Sequence, residues 1–303
     1  FLSFYVFIAK NLYFGILNNM HEETPNNFLG IDEIAADEAE VLILPIPLEA
    51  TVSYGKGTGR GPEAIITASQ QVELYDHEFG YEVDSRVKIK TLPVIDFPEQ
   101  NAEKAQDIIS KSVAPWTNKF VLSLGGEHSI TPALVGEYKK KYPDLSILYF
   151  DAHSDMRDAY GGTRWSHACA ARRCQDDHGI KNIVWVGTRN TSLEEQEYIN
   201  KEQVNYGDKY DLKKILSQLS DNVYISFDVD VFDLATMPAT GTPEPGGINW
   251  NQAMEIFEAV TREKNVVGAD LAECAPIASP GFHAYDFLVA KLAFKLIGYK
   301  FRE

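Results

Sequence analysis

Cysteine is scarce: Cys169, Cys174 and Cys274 are the three in 303 residues. A set so sparse and odd cannot build a disulfide framework, and no two of them have the spacing of a metal-binding pair. A reducing cytoplasm is the expected compartment. Positive charge is also short, with 28 basic against 44 acidic residues and a formal charge of −16. That balance excludes nucleic acid and an anionic membrane surface as natural partners and favours a small cationic guest. Long apolar runs are missing too. The stretch FLSFYVFIAK (1–10) is too short to cross a bilayer and has no basic leader or cleavage site. It is expected to form a strand, arm or subunit contact, with residues 1–38 as an N-terminal extension. The chain begins at Phe rather than Met, which leaves its true start open. No Pro/Gly/Ser-rich linker and no repeat divides the chain, so residues 1–303 are read as one domain.

Apolar residues make up 45% of the chain, enough for a substantial core. They fall in short runs: VLILPI (41–46), VKIKTLPVI (87–95), FVLSLG (120–125), LSILYF (145–150), NIVWVG (182–187), VYISFDV (223–229) and NVVGADL (265–271). Helical periodicity occupies 62–72, 101–113, 130–141, 193–202, 209–219, 250–262 and 283–297. Continuous apolar strands alternating with helices specify an α/β fold, a mostly parallel sheet covered on both faces. Ligands of such sheets sit at the carboxyl ends of the strands, and four runs end in reactive side chains.

FVLSLGGEHS places His128 just past a strand, after two glycines that permit a tight turn. Alone, such a histidine is more often a hydrogen-bonding group than a ligand. LSILYF runs into DAHSD, which sets Asp151, His153 and Asp155 two residues apart, on one face if the extended backbone continues. VYISFDVD repeats the spacing with Asp228 and Asp230. Carboxylates so close at a buried strand end repel one another unless a cation lies between them. Two imidazoles and four carboxylates exceed what one tetrahedral zinc needs, and shared carboxylates would hold two metals economically. Hard donors of this mixture suit Mn²⁺, with Mg²⁺, Fe²⁺, Co²⁺, Ni²⁺ and Zn²⁺ left open by ligand type alone. Asp233 continues the acidic run in a different phase, which favours a turn role. Glu273 lies beyond a fourth strand, in VVGADLAECAP, and His167 lies in the long connection after Asp155, from which a histidine could shuttle protons.

GGEHS, DAHSD, SFDVD, ATGTPEPGG (239–247), the Glu273 segment and PIPLEATVSYGKGTGRGPEAI (45–65) together resemble the ureohydrolase family of arginases and agmatinases, over roughly residues 40–298. The resemblance implies a three-layer α/β/α sandwich, two Mn²⁺ per subunit, and hydrolysis of a guanidino group to urea and an amine. It places His128, Asp151, Asp155 and Asp228 on one metal and Asp151, His153, Asp228 and Asp230 on the other. It gives Asp155 and His167 the protons and Glu273 the guanidinium. It also implies a homotrimer or homohexamer.

The substrate is less sharply marked. Met156 and Arg157 stand where arginases carry polar contacts to an amino acid, and TGTPEPGG resembles the agmatinase version, so agmatine is the first expectation. Ala168, VFDLA and AECAP depart from the usual agmatinase pattern. Arg157, Arg164, Arg172 or Arg173 could instead pair with the carboxylate of guanidinobutyrate or guanidinopropionate. Arginine, free guanidine with the pocket closed by Trp165, Phe232 or the N-terminus, a one-zinc deacetylase and a non-catalytic metal scaffold complete the alternatives.

Overall fold

The computed structural model describes residues 26–277 and 283–302. Its strands are β1 (Val41–Ile46), β2 (Tyr75–Asp76), β3 (Tyr81–Glu82), β4 (Ile89–Thr91), β5 (Phe120–Gly125), β6 (Ser146–Phe150), β7 (Ile183–Thr188), β8 (Val204–Tyr206), β9 (Asn222–Asp228) and β10 (Asn265–Ala272). Eight of them form one sheet in the order β4-β1-β5-β10-β9-β6-β7-β8, with every pairing parallel. β2 and β3 make a separate antiparallel hairpin.

Alternate residues of the same strands feed two cores. Ile43, Leu122, Leu148 and Ile225 join one cluster, whereas Leu42, Val121, Ile147 and Tyr224 join the other. A strand buried on both faces needs helices above and below it. On one side lie α1 (Gly61–Ser69), α5 (Leu212–Gln218), α6 (Trp250–Glu263) and α7 (Ala284–Lys300); on the other lie α2 (Ala102–Val113), α3 (Thr131–Lys141) and α4 (Ala170–Asp176). The result is the three-layer α/β/α sandwich. Local signals agree with it: Asn249 and Gln252 close a reciprocal capping box on α6, and Asn101 caps α2.

One expected helix does not form. Residues 193–202 hold two short 3₁₀ turns, Glu195–Glu197 and Lys201–Gln203. The Glu195 carboxylate turns inward to accept from Ser154 Oγ, Met156 N and Ser192 N, which pins this segment under the site instead of letting it wind. The short elements α4, β8 and the β2–β3 hairpin had no sequence signal of their own. FLSFYVFIAK lies outside the described residues. The described end of the expected N-terminal extension is anchored to the body: Phe28 and Leu29 are buried, and Asn27 Oδ1 accepts the Thr91 N–H at 2.7 Å.

The crossover from β5 to β6 through α3 leaves a gap that β9 and β10 fill on the chain's return from β8, so the strand order reverses in the middle of the sheet. The four chemically loaded strands, β5, β10, β9 and β6, are consecutive neighbours at this switch point. Parallel pairing brings their carboxyl ends level.

Candidate metal centre

Each loaded strand delivers its side chains by a different local device. After β5, a Cβ on Gly126 would lie 2.1 Å from the Leu48 carbonyl oxygen, so only glycine lets this turn approach the loop after β1. His128 then starts a 3₁₀ turn, fully buried. After β6, strand pairing stops at Phe150, and His153 keeps only an isolated bridge to Asn190. Asp155 takes a left-handed backbone, φ 52°. The extended continuation expected for DAHSD therefore gives way to a turn, and Asp155 joins the group by that turn and not by strand alternation. After β9, Val229–Val231 form a 3₁₀ turn in which the Asp230 N–H donates to Asp228 Oδ1 at 2.8 Å. Glu273, after β10, is again left-handed, φ 65°. Two non-glycine residues in this sparsely populated region, both in one site, store strain where chemistry is expected.

The side chains converge. His128 Nδ1 lies 3.0 Å from Asp151 Oδ2, 3.3 Å from Asp228 Oδ2 and 3.3 Å from Asp155 Oδ2. His153 Nδ1 lies 2.9 Å from Asp230 Oδ2 and 3.5 Å from Asp151 Oδ1. Two groups able to hold a metal result, His128 with Asp151 and Asp228, and Asp151 with His153 and Asp230. Asp151 is common to both. Its Oδ2 is buried with no well-formed hydrogen bond, an orphaned carboxylate oxygen that a cation would satisfy. The donor set fits two divalent cations.

Electrostatics carry the same message. Burial, then the charges of Asp155 and Asp230, push Asp151 up to about 7, and burial with Asp230 and Asp151 pushes Asp228 well above the carboxylate range. Burial works against protonation of His153, yet Asp230 and Asp151 raise it to about 12. With no cation, the group holds itself together with protons.

Three further carboxylates and their hydroxyl partners surround the cluster, and none stood out from sequence. Glu127 is fully buried and accepts from Ala50 N, Thr51 N, Thr51 Oγ1 and Ser129 Oγ. Since the Thr51 proton goes to Glu127, Thr51 Oγ1 is left to accept from His167 Nδ1 at 3.1 Å. His167 lines the cavity, and burial lowers its pKa, which favours the neutral ring. Glu195 lies below the mouth. Asp270 lies beneath His128, beyond the Ser226 hydroxyl. Hydroxyl-bridged partners distant in sequence leave no motif, although Ser226 does sit inside SFDVD.

A cavity of about 310 Å³ opens over the cluster, lined by His128, His153, Asp155, His167, Asp228, Asp230 and Glu273. Of the four arginines weighed from sequence, Arg157 alone lines it; its guanidinium stacks on Tyr160 and lies 3.9 Å from Glu195. Arg164 pairs with Asp177, Arg172 with Asp176, and Arg173 with Asp158 and Asp177. Phe232 is buried in the core and closes nothing. Asp233 has the turn role, accepting from Ala235 N and Gly246 N.

Fold and cluster define a class: an α/β protein that gathers ligands for two divalent cations at the switch point of its sheet. Within that class the chain belongs to the Arginase family, whose model matches residues 39–298. It is 34% identical to the N(1)-aminopropylagmatine ureohydrolase of Synechocystis sp., over 93% of this chain and 96% of that protein. It is 37% identical to an agmatinase of Bacillus anthracis, over 80% and 85% respectively. The agmatine ureohydrolase of Thermoplasma volcanium superposes with a TM-score of 0.80 at 28% identity, covering 94% of this chain and 97% of that one. The protein is a metal-dependent hydrolase that acts on a guanidino compound.

Proposed function

We propose that the protein is a manganese-dependent hydrolase that splits agmatine, or agmatine carrying an N-substituent, into urea and an amine. The observation that carries this reading is the carboxylate lining of the cavity: among the described residues Asp155, Asp228 and Asp230 would be matched by the two cations, Arg157 faces Glu195, and Glu273 is left as an unmatched anion. A cationic guest suits that remaining charge better than an acid does. The named relatives, which act on agmatine or its aminopropyl derivative, support the same choice.

His128, Asp151, Asp155 and Asp228 would hold one Mn²⁺ and Asp151, His153, Asp228 and Asp230 the other. When bound, the ions supply Lewis acidity and make a water acidic enough to act as nucleophile near neutral pH. The protein's own residues do the rest. Glu273 Oε1 accepts the backbone N–H of His128 at 2.8 Å, which fixes the carboxylate and leaves its other oxygen for the planar N–H edge of the guanidinium. Burial, then the charge of Glu127, raises Glu273 to about 8, so a cationic guest draws this group into its ionised form. Asp155, held by a 2.8 Å bond from the Tyr149 hydroxyl, receives the proton of the attacking water. His167, neutral and held by Thr51, takes up a proton at Nε2 from Asp155 or from solvent and passes that proton to the departing amine, which leaves both groups as they began.

The chain is taken as one domain acting in the cytoplasm, with three buried free thiols that suit a reducing compartment, and as a homotrimer or homohexamer. Urea release by the Mn²⁺-loaded protein from agmatine, N(1)-aminopropylagmatine, arginine, guanidinobutyrate, guanidinopropionate and guanidine tests the proposal. The highest kcat/KM is expected for one of the first two; preference for an acid would give Arg157 the role of substrate partner.

A further inference from the structure

Asp270 is a carboxylate in the middle of a parallel sheet, on β10, with 0% of its surface exposed. It faces Ser226 across the β9–β10 register. Leaving a charge there is costly, and an apolar residue of similar size would stabilise the sheet. Its surroundings are all hydroxyl donors: Ser226 Oγ reaches Oδ1 at 2.9 Å, Thr131 Oγ1 reaches Oδ2 at 3.1 Å, and the Tyr224 hydroxyl also bonds to it. Among the described residues no arginine or lysine is one of its partners.

The direction of these bonds determines what happens one step further on. A hydroxyl has a single proton. Burial raises Asp270, and the charge of His128 and the surrounding hydroxyls work against that; in its ionised form the carboxylate only accepts, so Ser226 and Thr131 both spend their protons on it, and the 3.2 Å contact between the two hydroxyls carries none. Ser226 Oγ therefore faces His128 Nε2, 2.8 Å away, as an acceptor. His128 donates from Nε2, so once a cation replaces the proton on Nδ1 that nitrogen offers its lone pair; it lies within 3.0 to 3.3 Å of Asp151, Asp155 and Asp228 and 3.2 Å from the Tyr149 hydroxyl. Stacking of the ring on Tyr149, with centroids 4.8 Å apart and planes 18° apart, fixes its tilt.

We propose that Asp270, acting through the Ser226 hydroxyl, is a positioning residue for the metal centre that locks His128 in the tautomer able to ligate. The inference rests on the reading of His128 as a ligand. An amide at position 270 could point an N–H at Ser226, turn the serine proton toward His128 and place a hydrogen on the wrong nitrogen.

Mn²⁺ is titrated calorimetrically into the metal-stripped wild type, Asp270→Asn, Ser226→Ala and Tyr224→Phe, with bound metal counted by mass spectrometry and folding followed by near-ultraviolet circular dichroism. Tyr224→Phe removes a different donor from Asp270 without touching the bridge to His128. Asp270→Asn and Ser226→Ala are expected to keep one Mn²⁺ at wild-type affinity and to weaken the second by about 10- to 100-fold, while Tyr224→Phe binds both normally. Should Asp270→Asn fail to fold, Ser226→Ala decides alone. Two ions bound at wild-type affinity by folded Ser226→Ala, or an equal loss in Tyr224→Phe, overturns the inference. A wild type that binds no Mn²⁺ overturns instead the metal reading beneath it.

Discussion

At the scale of single residues, the site works by giving each charged group one permitted orientation. Asp151 belongs to both metal-holding groups, so Asp151→Ala is expected to abolish binding of both ions, as counted on the purified protein; retention of two would remove it from the centre. Glu273→Gln keeps the size of the side chain and both metals but loses the charge matched to a guanidinium. Its kcat/KM is expected to fall by about 10²- to 10³-fold at unchanged metal content. Thr51→Val takes away the hydroxyl between Glu127 and His167. Without it the imidazole loses its fixed tautomer, and kcat is expected to drop by about 10- to 100-fold with KM retained; a change confined to KM would contradict a proton-handling role. The acidic and histidine side chains of the cluster were legible in sequence because Asp and His crowded at two-residue spacing after apolar strands would repel one another without a cation to hold. Their supporting hydroxyls were not, since Thr51 is 116 residues from His167 and Ser226 is 98 from His128.

At the scale of elements, the β2–β3 hairpin is bolted to α7 by charge. Lys295 Nζ reaches Asp76 Oδ1 at 2.9 Å and Glu78 Oε2 at 2.7 Å. Burial alone would raise Asp76, but Lys295 and the Glu78 N–H override it, so its pKa lies below the ordinary 3.8. A depressed carboxylate contributes stability above its unfolded pKa and loses it as pH falls through the folded value; the contribution is therefore present at neutral pH and vanishes in strong acid. Lys295→Met leaves Asp76 with Lys291 at 3.7 Å and the Glu78 N–H and is expected to cost about 2 kcal/mol, read as a lower urea midpoint at neutral pH that converges on wild type in acid. Chain periodicity located α1, α2, α3, α5, α6 and α7 to within a few residues; α2 and α6 each bury one apolar stripe, whereas α7 is buried on every side from Leu292 to Tyr299. It failed at 193–202, where Glu195 makes tertiary bonds that no local pattern encodes, and in DAHSD, where strand spacing gave the right residues for the wrong backbone reason. Asp155 arrives by a left-handed turn.

At the scale of the whole molecule, a sheet with eight parallel strands sets four loaded carboxyl ends side by side, and the resulting charge governs how the protein responds to pH. With no cation, protons fill the centre: burial and the neighbouring carboxylates push Asp151 up to about 7, and Asp230 and Asp151 hold His153 protonated against the effect of burial. Loading must expel them. Apparent Mn²⁺ affinity is thus expected to rise with pH through neutrality and to fall on acidification, with proton release visible as a buffer-dependent binding heat; an affinity flat across pH 7 would contradict the shared-proton description. Sequence could order these strands only as a list. Their adjacency follows from the crossover through α3, a property of topology that no motif contains.

The measurement closest to the central claim is urea release followed as Mn²⁺ is added in known amounts to the stripped protein, with agmatine and N(1)-aminopropylagmatine as substrates. Activity that climbs to a plateau at two ions per chain is the predicted result. Two ions bound and no urea from either substrate, nor from any other guanidino compound, would contradict the account.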